Sequence, residues 1–505
     1  MSDYQQQYSE LCQEIGEAAK LDSIQQLLEW DERTIMPPKA GAYRAEQVSL
    51  LAGLIHERRT SPRVGELLDS LVESPLAADP HSDQGATIRV LTREYRRDSK
   101  LPQALVIELS KAKVLAQQNW VQARSSNNFP LFRPHLDNIL RLMREMADTI
   151  GHTGSRYDAL LDYFEPEAKT SEVAAALSAL KDDLAPLVAE IAQTGRHPKM
   201  EILQRDYPIA AQEEFGKRVA KDIGFDFDAG RLDVTHHPFC CGMGPHDCRI
   251  TTRYDKNFFS SAFYSTLHEA GHGLYDQGLR ADQYGLPSGS YVSLGVHESQ
   301  SRLWENMVGR SYPFWRHYFP ELKKTFPALG ETPMSDFHYA VNDVQPSLIR
   351  VEADEATYNL HIIIRFELEQ ALLTGDLPVA DLPGAWNEKY QQMLGVVPDD
   401  DADGCLQDVH WSAGLIGYFP TYSLGNMYAA QLFDQAAIEL GDLAEMFGRG
   451  EFIPLLEWLR DKVHRPGSRY PAPQLMHNIC GESIDHRPLL KYLRTKYAPL
   501  YGIGH

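Results

Sequence analysis

Apolar residues recur at three- and four-residue steps along most of the chain. In VAAALSALKDDLAPLVAEIA (173–192) they line one face of a 3.6-residue repeat, which predicts an amphipathic helix. The same spacing predicts helices at QVSLLAGLIHERR (47–59), ALVIELSKAKVLAQQNWVQAR (104–124), HLDNILRLMREMADTIG (135–151) and TYNLHIIIRFELEQALL (357–373). Period-two alternation is scarce. DCRITTRYD (247–255), with its Arg, Ile, Thr and Tyr, favours an extended chain and reads as a short hairpin. Proline and glycine punctuate the helices at TIMPPKAGAY (34–43), THHPFCCGMGPHD (235–247), YGLPSGSYVS (284–293), GVVPDDDADG (395–404) and VHRPGSRYPAPQ (463–474). None is a long low-complexity linker and no repeat of solenoid period is visible. The expectation is a mainly α protein with a small β-element near 247–255, residues 1–505 forming a single unit, at most two helical lobes flanking a groove.

Composition changes this picture little, since 505 residues at 43% hydrophobic and 24% charged suit a large core in water. Charge excludes more. With 49 basic against 70 acidic residues the net charge is −21, which repels a phosphate backbone and an anionic membrane surface, so neither is expected as a partner. The six cysteines are few and unevenly spaced, unlike a disulfide framework. The N-terminal MSDYQQQYSELCQEIGEAAK lacks a basic patch followed by an apolar core, and no apolar run is long enough to span a bilayer. A cytoplasmic location is the expectation. The segment FCCGMGPHDCRITTRY (239–254) gathers Cys240, Cys241, Cys248 and His246 like a metal knuckle. Adjacent cysteines diverge in most backbone conformations, however, and no second C-x-x-C accompanies them, so no metal is expected there.

Chemistry is concentrated in STLHEAGHGLYDQGL (265–279). On a helix, His268 and His272 of this H-E-x-x-H lie four residues apart on one face, where two imidazoles can hold one zinc ion. Glu269 beside them is placed to take a proton from the attacking water. A catalytic zinc needs a third protein ligand and an open position. The nearby third histidine of H-E-x-x-H-x-x-G-x-x-H is missing, because Tyr275 and Gly278 occupy the glycine and histidine positions. A glutamate on a later helix is the other solution. In SLGVHESQSRLWENMVG (293–309), Glu298 is the expected ligand and Glu305 its competitor. Such a site hydrolyses peptide bonds, with Glu269 passing the proton on to the leaving amine. Neither G-x-S-x-G nor a P-loop is present.

Five motifs occur in one order: DCRIT (247–251), HEAGH (268–272), HESQSR (297–302), IRVEAD (349–354) and GCLQDVHW (404–411). Together they resemble the carboxypeptidase Taq family of zinc metallocarboxypeptidases. The likeness runs from WDERTIMPP (30–38) through GYFPTYSLGNMYAAQ (417–431) to KYAPLYGI (496–503). It implies a helical body with a deep groove, similar to neurolysin and the angiotensin-converting enzymes, acting as a single catalytic unit. It also implies a homodimer that removes single residues from free peptide C-termini with broad tolerance, using one Zn2+ per chain or Co2+ in its place. One departure is local: the FEPEAKT turn (164–170) carries Glu167 where glycine is expected.

A carboxypeptidase must hold an α-carboxylate, and a planar guanidinium does so with two parallel charge-assisted hydrogen bonds. Arg350 matches the family's substrate-binding arginine, with Arg249 the runner-up; the competing reading of Arg350 is a structural ion pair. Asp354 is expected to orient a ligand histidine. His410 and Tyr422 are candidate donors to the oxyanion or the terminal carboxylate, and family likeness places His237 near the peptide. The resemblance further implies that Asp247, Arg249 and Thr251, with Gln407 and Asp408, close one end of the groove, leaving Cys248 as a replaceable small residue. Two alternatives stand beside this reading: an endopeptidase or dipeptidyl carboxypeptidase of the same architecture, and a zinc-stabilised peptide-binding scaffold without turnover. Retention of Glu269 with all three ligands argues against the scaffold.

Overall fold

The computed structural model describes residues 3–504. Its backbone is mainly helical with one small sheet. All five helices read from the apolar spacing are present, as Gly41–Arg59, Gln103–Ser125, Phe129–Ile150, Thr170–Gln193 and Tyr358–Thr374. Among the described residues no helix is long and apolar enough to cross a membrane. The chain forms two compact units. One takes the chain up to Arg96, then Pro198–Val341 and Leu432–Ser483; the other takes Arg97–His197, Asn342–Gln431 and the chain from Ile484 on.

In the first unit the helix Asp3–Thr34 packs on Gly41–Arg59 and Pro62–Val72, with Leu11, Leu67, Leu68 and Leu71 at the centre of one apolar cluster. The sheet comprises β1 (Gly230–Val234), β2 (Cys240–Gly244) and β3 (Asp247–Thr252), with β3 in the middle. It runs parallel to β1, Arg231 opposite Arg249, and antiparallel to β2, Gly242 opposite Cys248. The expected hairpin is therefore formed by β2 and β3, turning at His246 with φ +65°, and 247–252 is one of its strands.

The sheet packs against the helix Phe259–Gly278, which carries HEAGH. That helix is anchored by Phe259 and Phe263, stacked at 5.0 Å and surrounded by Phe215, Trp315 and Phe326. Gly271 matters for the site, because a Cβ there would lie 2.6 Å from Ser301 Cα. Its absence lets the helix Leu294–Arg302 cross closely. That second helix starts at Ser293, whose hydroxyl accepts the Val296 amide at 3.1 Å, and runs into a π-helical turn at Leu303–Val308.

In the second unit Tyr358–Thr374 is apolar on nearly every side, with Ile362, Ile363, Ile364 and Leu368 buried, as a central helix must be. His361, Arg365 and Glu369, four residues apart, form a buried polar stripe along it. Glu369 accepts hydrogen bonds from Tyr157 Oη (2.6 Å), Trp411 Nε1 (2.9 Å) and the Gly417 amide (3.1 Å). These bonds fasten the segment after GCLQDVHW to the helix. Glu167 adopts φ +67°, the left-handed conformation that glycine would take most easily.

Candidate active site

The first unit brings His268, His272 and Glu298 together, each offering a donor atom within 4.8 Å of the others. Glu298 Oε2 lies 3.9 Å from His268 Nε2 and 3.6 Å from His272 Nε2. Donors on one tetrahedral zinc ion lie about 3.4 Å apart, so small adjustments would seat one. The opposite ring nitrogens are engaged elsewhere. His268 Nδ1 donates to Glu305 Oε2 at 2.9 Å. His272 Nδ1 meets His297 Nδ1, and His297 Nε2 donates to Asp276 Oδ1 at 3.1 Å. Because His297 Nε2 donates to Asp276, its Nδ1 serves as the acceptor and His272 Nδ1 carries the proton. Both ligand candidates then turn a bare Nε2 toward Glu298, as a zinc site requires.

The choice between Glu298 and Glu305 follows from this. Seven residues apart, both lie on one helix face, but Glu305 stands behind His268 and is held there by Arg302 Nη1 at 3.2 Å and Arg310 Nη2 at 3.3 Å. Glu298 Oε1 accepts from Arg302 Nε at 2.7 Å, leaving Oε2 on the histidine side. Burial alone would raise the Glu298 carboxyl, yet Arg302 and His268 hold it well below the usual carboxylate range. Burial presses His272 down to about 4, so its imidazole is neutral. Burial also pushes Glu269 up to about 7, His268 opposing and Glu298 and Glu305 adding to the rise. A carboxyl at that value can both take and return a proton near neutral pH.

The second unit gathers the motifs around Arg350, which is 5% exposed. Its Nε lies 2.9 Å from Asp408 Oδ1, Nη2 lies at the same distance from that oxygen, and Nη1 donates to Tyr358 Oη at 3.0 Å. Arg365 Nε donates to the other carboxylate oxygen of Asp408 at 2.6 Å, and Arg365 Nη2 to Gln407 Oε1 at 2.7 Å. Gln407 Oε1 also accepts the Arg350 amide at 2.9 Å. Two arginines thus share one carboxylate, which leaves a net positive charge. His410 Nε2 and Tyr422 Oη lie 3.3 Å apart beside it, and the Arg350 guanidinium is 5.2 Å from the Tyr422 ring. Burial lowers His410 to about 4, so it is neutral.

Several expectations change. Asp354 does not orient a ligand histidine. Its carboxylate accepts from the Gln345, Ala356 and Thr357 amides and from Thr357 Oγ1, shaping the turn before the central helix, and Glu305 is the carboxylate behind His268. The five residues expected as an end wall are each held by partners of their own. Gln407 and Asp408 are buried partners of Arg350 and Arg365. Asp247 pairs with Arg249 through both oxygens, at 2.8 and 2.9 Å, and the Arg249 guanidinium lies 4.5 Å from the Trp30 ring. This engaged fork disfavours Arg249 as carboxylate receptor. Thr251 Oγ1 bonds both the amide and the carbonyl of Phe239, tying β3 to the chain entering β2. His237 sits in an exposed bend between β1 and β2.

Sequence reasoning missed Asp276, His297, Arg302 and Arg365. Asp276 was visible in principle, since 268, 272 and 276 repeat every four residues on one helix face. Arg302 likewise follows Glu298 by one turn. Arg365 is a lone cation in the apolar run NLHIIIRFELEQALL, a position that demands a buried partner.

Residues 10–497 match the family model described as carboxypeptidase Taq (M32) metallopeptidase. The chain is 47% identical over 504 residues to thermostable carboxypeptidase 1 of Thermus thermophilus, covering 98% of this chain and 99% of that protein. It is 37% identical over 499 residues to carboxypeptidase 1 of Bacillus subtilis, covering 99% of each. Among solved structures, the M32 carboxypeptidase from Deinococcus radiodurans R1 superposes with a TM-score of 0.95 at 41% identity, over 99% of this chain and 100% of that one.

Proposed function

The chain belongs to the carboxypeptidase Taq family of metallopeptidases and is a metallocarboxypeptidase, and from that premise we propose that it removes single residues from free peptide C-termini with zinc as its resident ion. The observation that carries the choice of ion and place is the convergence of His268 Nε2, His272 Nε2 and Glu298 Oε2, with both Nδ1 atoms already hydrogen-bonded. Two neutral imidazoles and one carboxylate suit zinc and leave room for an open position. A bound zinc ion would supply Lewis acidity, acidifying water and polarising the peptide carbonyl.

The chain's own residues do the rest. Glu269 takes the proton of the attacking water and returns it to the leaving nitrogen, a double task suited to its raised pKa of about 7. Arg350 receives the substrate's α-carboxylate. A guanidinium has five N–H groups; Asp408 engages one on Nε and one on Nη2, and Tyr358 one on Nη1. One N–H on each terminal nitrogen is left, the pair a carboxylate meets bidentately. Asp408 and Gln407 hold the guanidinium in register, while Arg365 keeps the local charge positive. Tyr422 and neutral His410, beside Arg350, are the donors we assign to the substrate carboxylate or the oxyanion. Broad side-chain tolerance and a homodimer are carried over from the family resemblance, and a cytoplasmic location from the few, unevenly spaced cysteines.

Peptide pairs identical but for a free or amidated C-terminus test this reading. The free peptide should be shortened and the amide left intact, and Arg350→Lys, which keeps the charge but loses the fork, should lower kcat/KM about 10- to 100-fold. Equal cleavage of both peptides would refute the carboxylate requirement.

A further inference from the structure

The cysteine-rich hairpin, set aside on sequence grounds as a metal site, gains a third donor in the folded chain. Cys240 Sγ and Cys248 Sγ lie 3.7 Å apart, and Asp276 Oδ2 is 3.8 Å from the first and 4.0 Å from the second. We propose that Cys240, Cys248 and Asp276 form a second metal site, for a thiophilic divalent cation of the zinc class.

The distances carry the argument. Two thiolates at about 2.3 Å from a tetrahedral zinc ion lie about 3.8 Å apart, and a thiolate and a carboxylate oxygen about 3.6 Å. The three donors already stand within a few tenths of an ångström of that triangle. They stand there because β2 and β3 pair with Gly242 opposite Cys248, which sets Cys240 diagonally beside it on one face of the sheet. Cys241 faces the other way, with Sγ 3.2 Å from Gln26 Oε1, and takes no part. Gly242 leaves the sheet bare where the carboxylate arrives, since a Cβ there would lie 2.7 Å from Asp276 Oδ2. The charged groups acting on the two thiols are carboxylates: Asp276 and Glu269 on both, and Asp247 on Cys248. A cation would compensate them.

Binding displaces the two thiol protons, so two thiolates and one carboxylate surround the dication and leave a net charge of −1. A fourth position remains for water or for the Gly273 carbonyl, 3.9 Å from Cys248 Sγ. The site is joined to the His268, His272 and Glu298 centre through Asp276 Oδ1, His297 and His272 Nδ1. Its carboxylate therefore fixes the proton on a ligand histidine with one oxygen while holding its own ion with the other.

The test loads reduced, metal-stripped full-length protein with Co2+ under anaerobic conditions. The expected result is about two ions per chain and a near-ultraviolet thiolate-to-cobalt charge-transfer band, which nitrogen and oxygen ligands do not produce. Cys240→Ser and Cys248→Ser should each abolish the band and lower the count by one, whereas Glu298→Gln should lower the count and keep the band. Thiol titration of the unaltered chain is the measurement independent of any variant: Zn2+ should protect two of its six cysteines from reaction. One ion per chain with no thiolate band would overturn the proposal. So would equal thiol reactivity with and without Zn2+, or closure of a Cys240–Cys248 disulfide with no metal uptake after its reduction.

Discussion

Glu305 Oε2 accepts the Nδ1 proton of His268 at 2.9 Å, so this carboxylate orients the histidine from behind while Glu298 faces its Nε2. Partners of this kind set metal affinity without touching the ion. Glu305→Gln should therefore weaken zinc about 10- to 100-fold, read by competition with a chromophoric chelator. Affinity equal to that of the unaltered chain would contradict the assignment. A loss as complete as that of Glu298→Gln would make Glu305 a ligand instead.

Glu269 is 6% exposed and lies beside the donor cluster, next to His268 on the same helix. Glu269→Gln should cut kcat by about 10²- to 10⁴-fold with bound metal unchanged. Steady-state rates on a free-C-terminal peptide, paired with metal analysis, make the check. A variant within tenfold of the parent would assign the proton transfer to another group.

At Glu167 the chain holds a side chain in the left-handed region, φ +67°, in a turn closed by its amide on Asp162 Oδ1 at 2.8 Å. Glycine adopts this conformation without the Cβ clash but loses more entropy on folding, so Glu167→Gly should stabilise by about 0.5–1 kcal/mol. Glu167→Ala, which keeps Cβ, should not. Urea unfolding of the three proteins separates them, and an equal gain from alanine would remove the conformational explanation.

Asp408 gives the account a pH signature. Burial would raise its carboxyl, but Arg365 and Arg350 hold it well below its ordinary value of 3.8. A carboxyl depressed in the folded state contributes stability that is complete above the unfolded value and is lost as pH falls through the folded one. Asp408→Asn leaves two buried arginines without their carboxylate and should cost about 3 kcal/mol at neutral pH. The gap between variant and parent should narrow below about pH 4, where the parent loses what the variant lacks. Parallel unfolding curves from pH 7 to pH 3 would contradict it.

Legibility in the sequence followed distance along the chain. The helices were readable because amphipathic spacing is local, and HEAGH because its two histidines stand one turn apart. Glu298 was nameable only together with Glu305, since their difference lies in which histidine nitrogen each carboxylate faces. Arg350 and Asp408, 58 residues apart, carry no local mark of their pairing. Gln407 and Asp408 were therefore read as wall, with no sign that they also hold Arg350. The hairpin cysteines show the same limit: Cys241 turns away from Cys240, while Asp276, the carboxylate beside Cys240 and Cys248, comes from another element, 28 residues beyond Cys248.

The most direct test of the central claim follows one model peptide by mass spectrometry over time, with metal-stripped enzyme and the same enzyme reloaded with zinc. The account predicts a ladder of products shortened one residue at a time from the C-terminus, present with zinc and absent without it. Cleavage at internal bonds, or an unchanged ladder after complete metal removal, would contradict it.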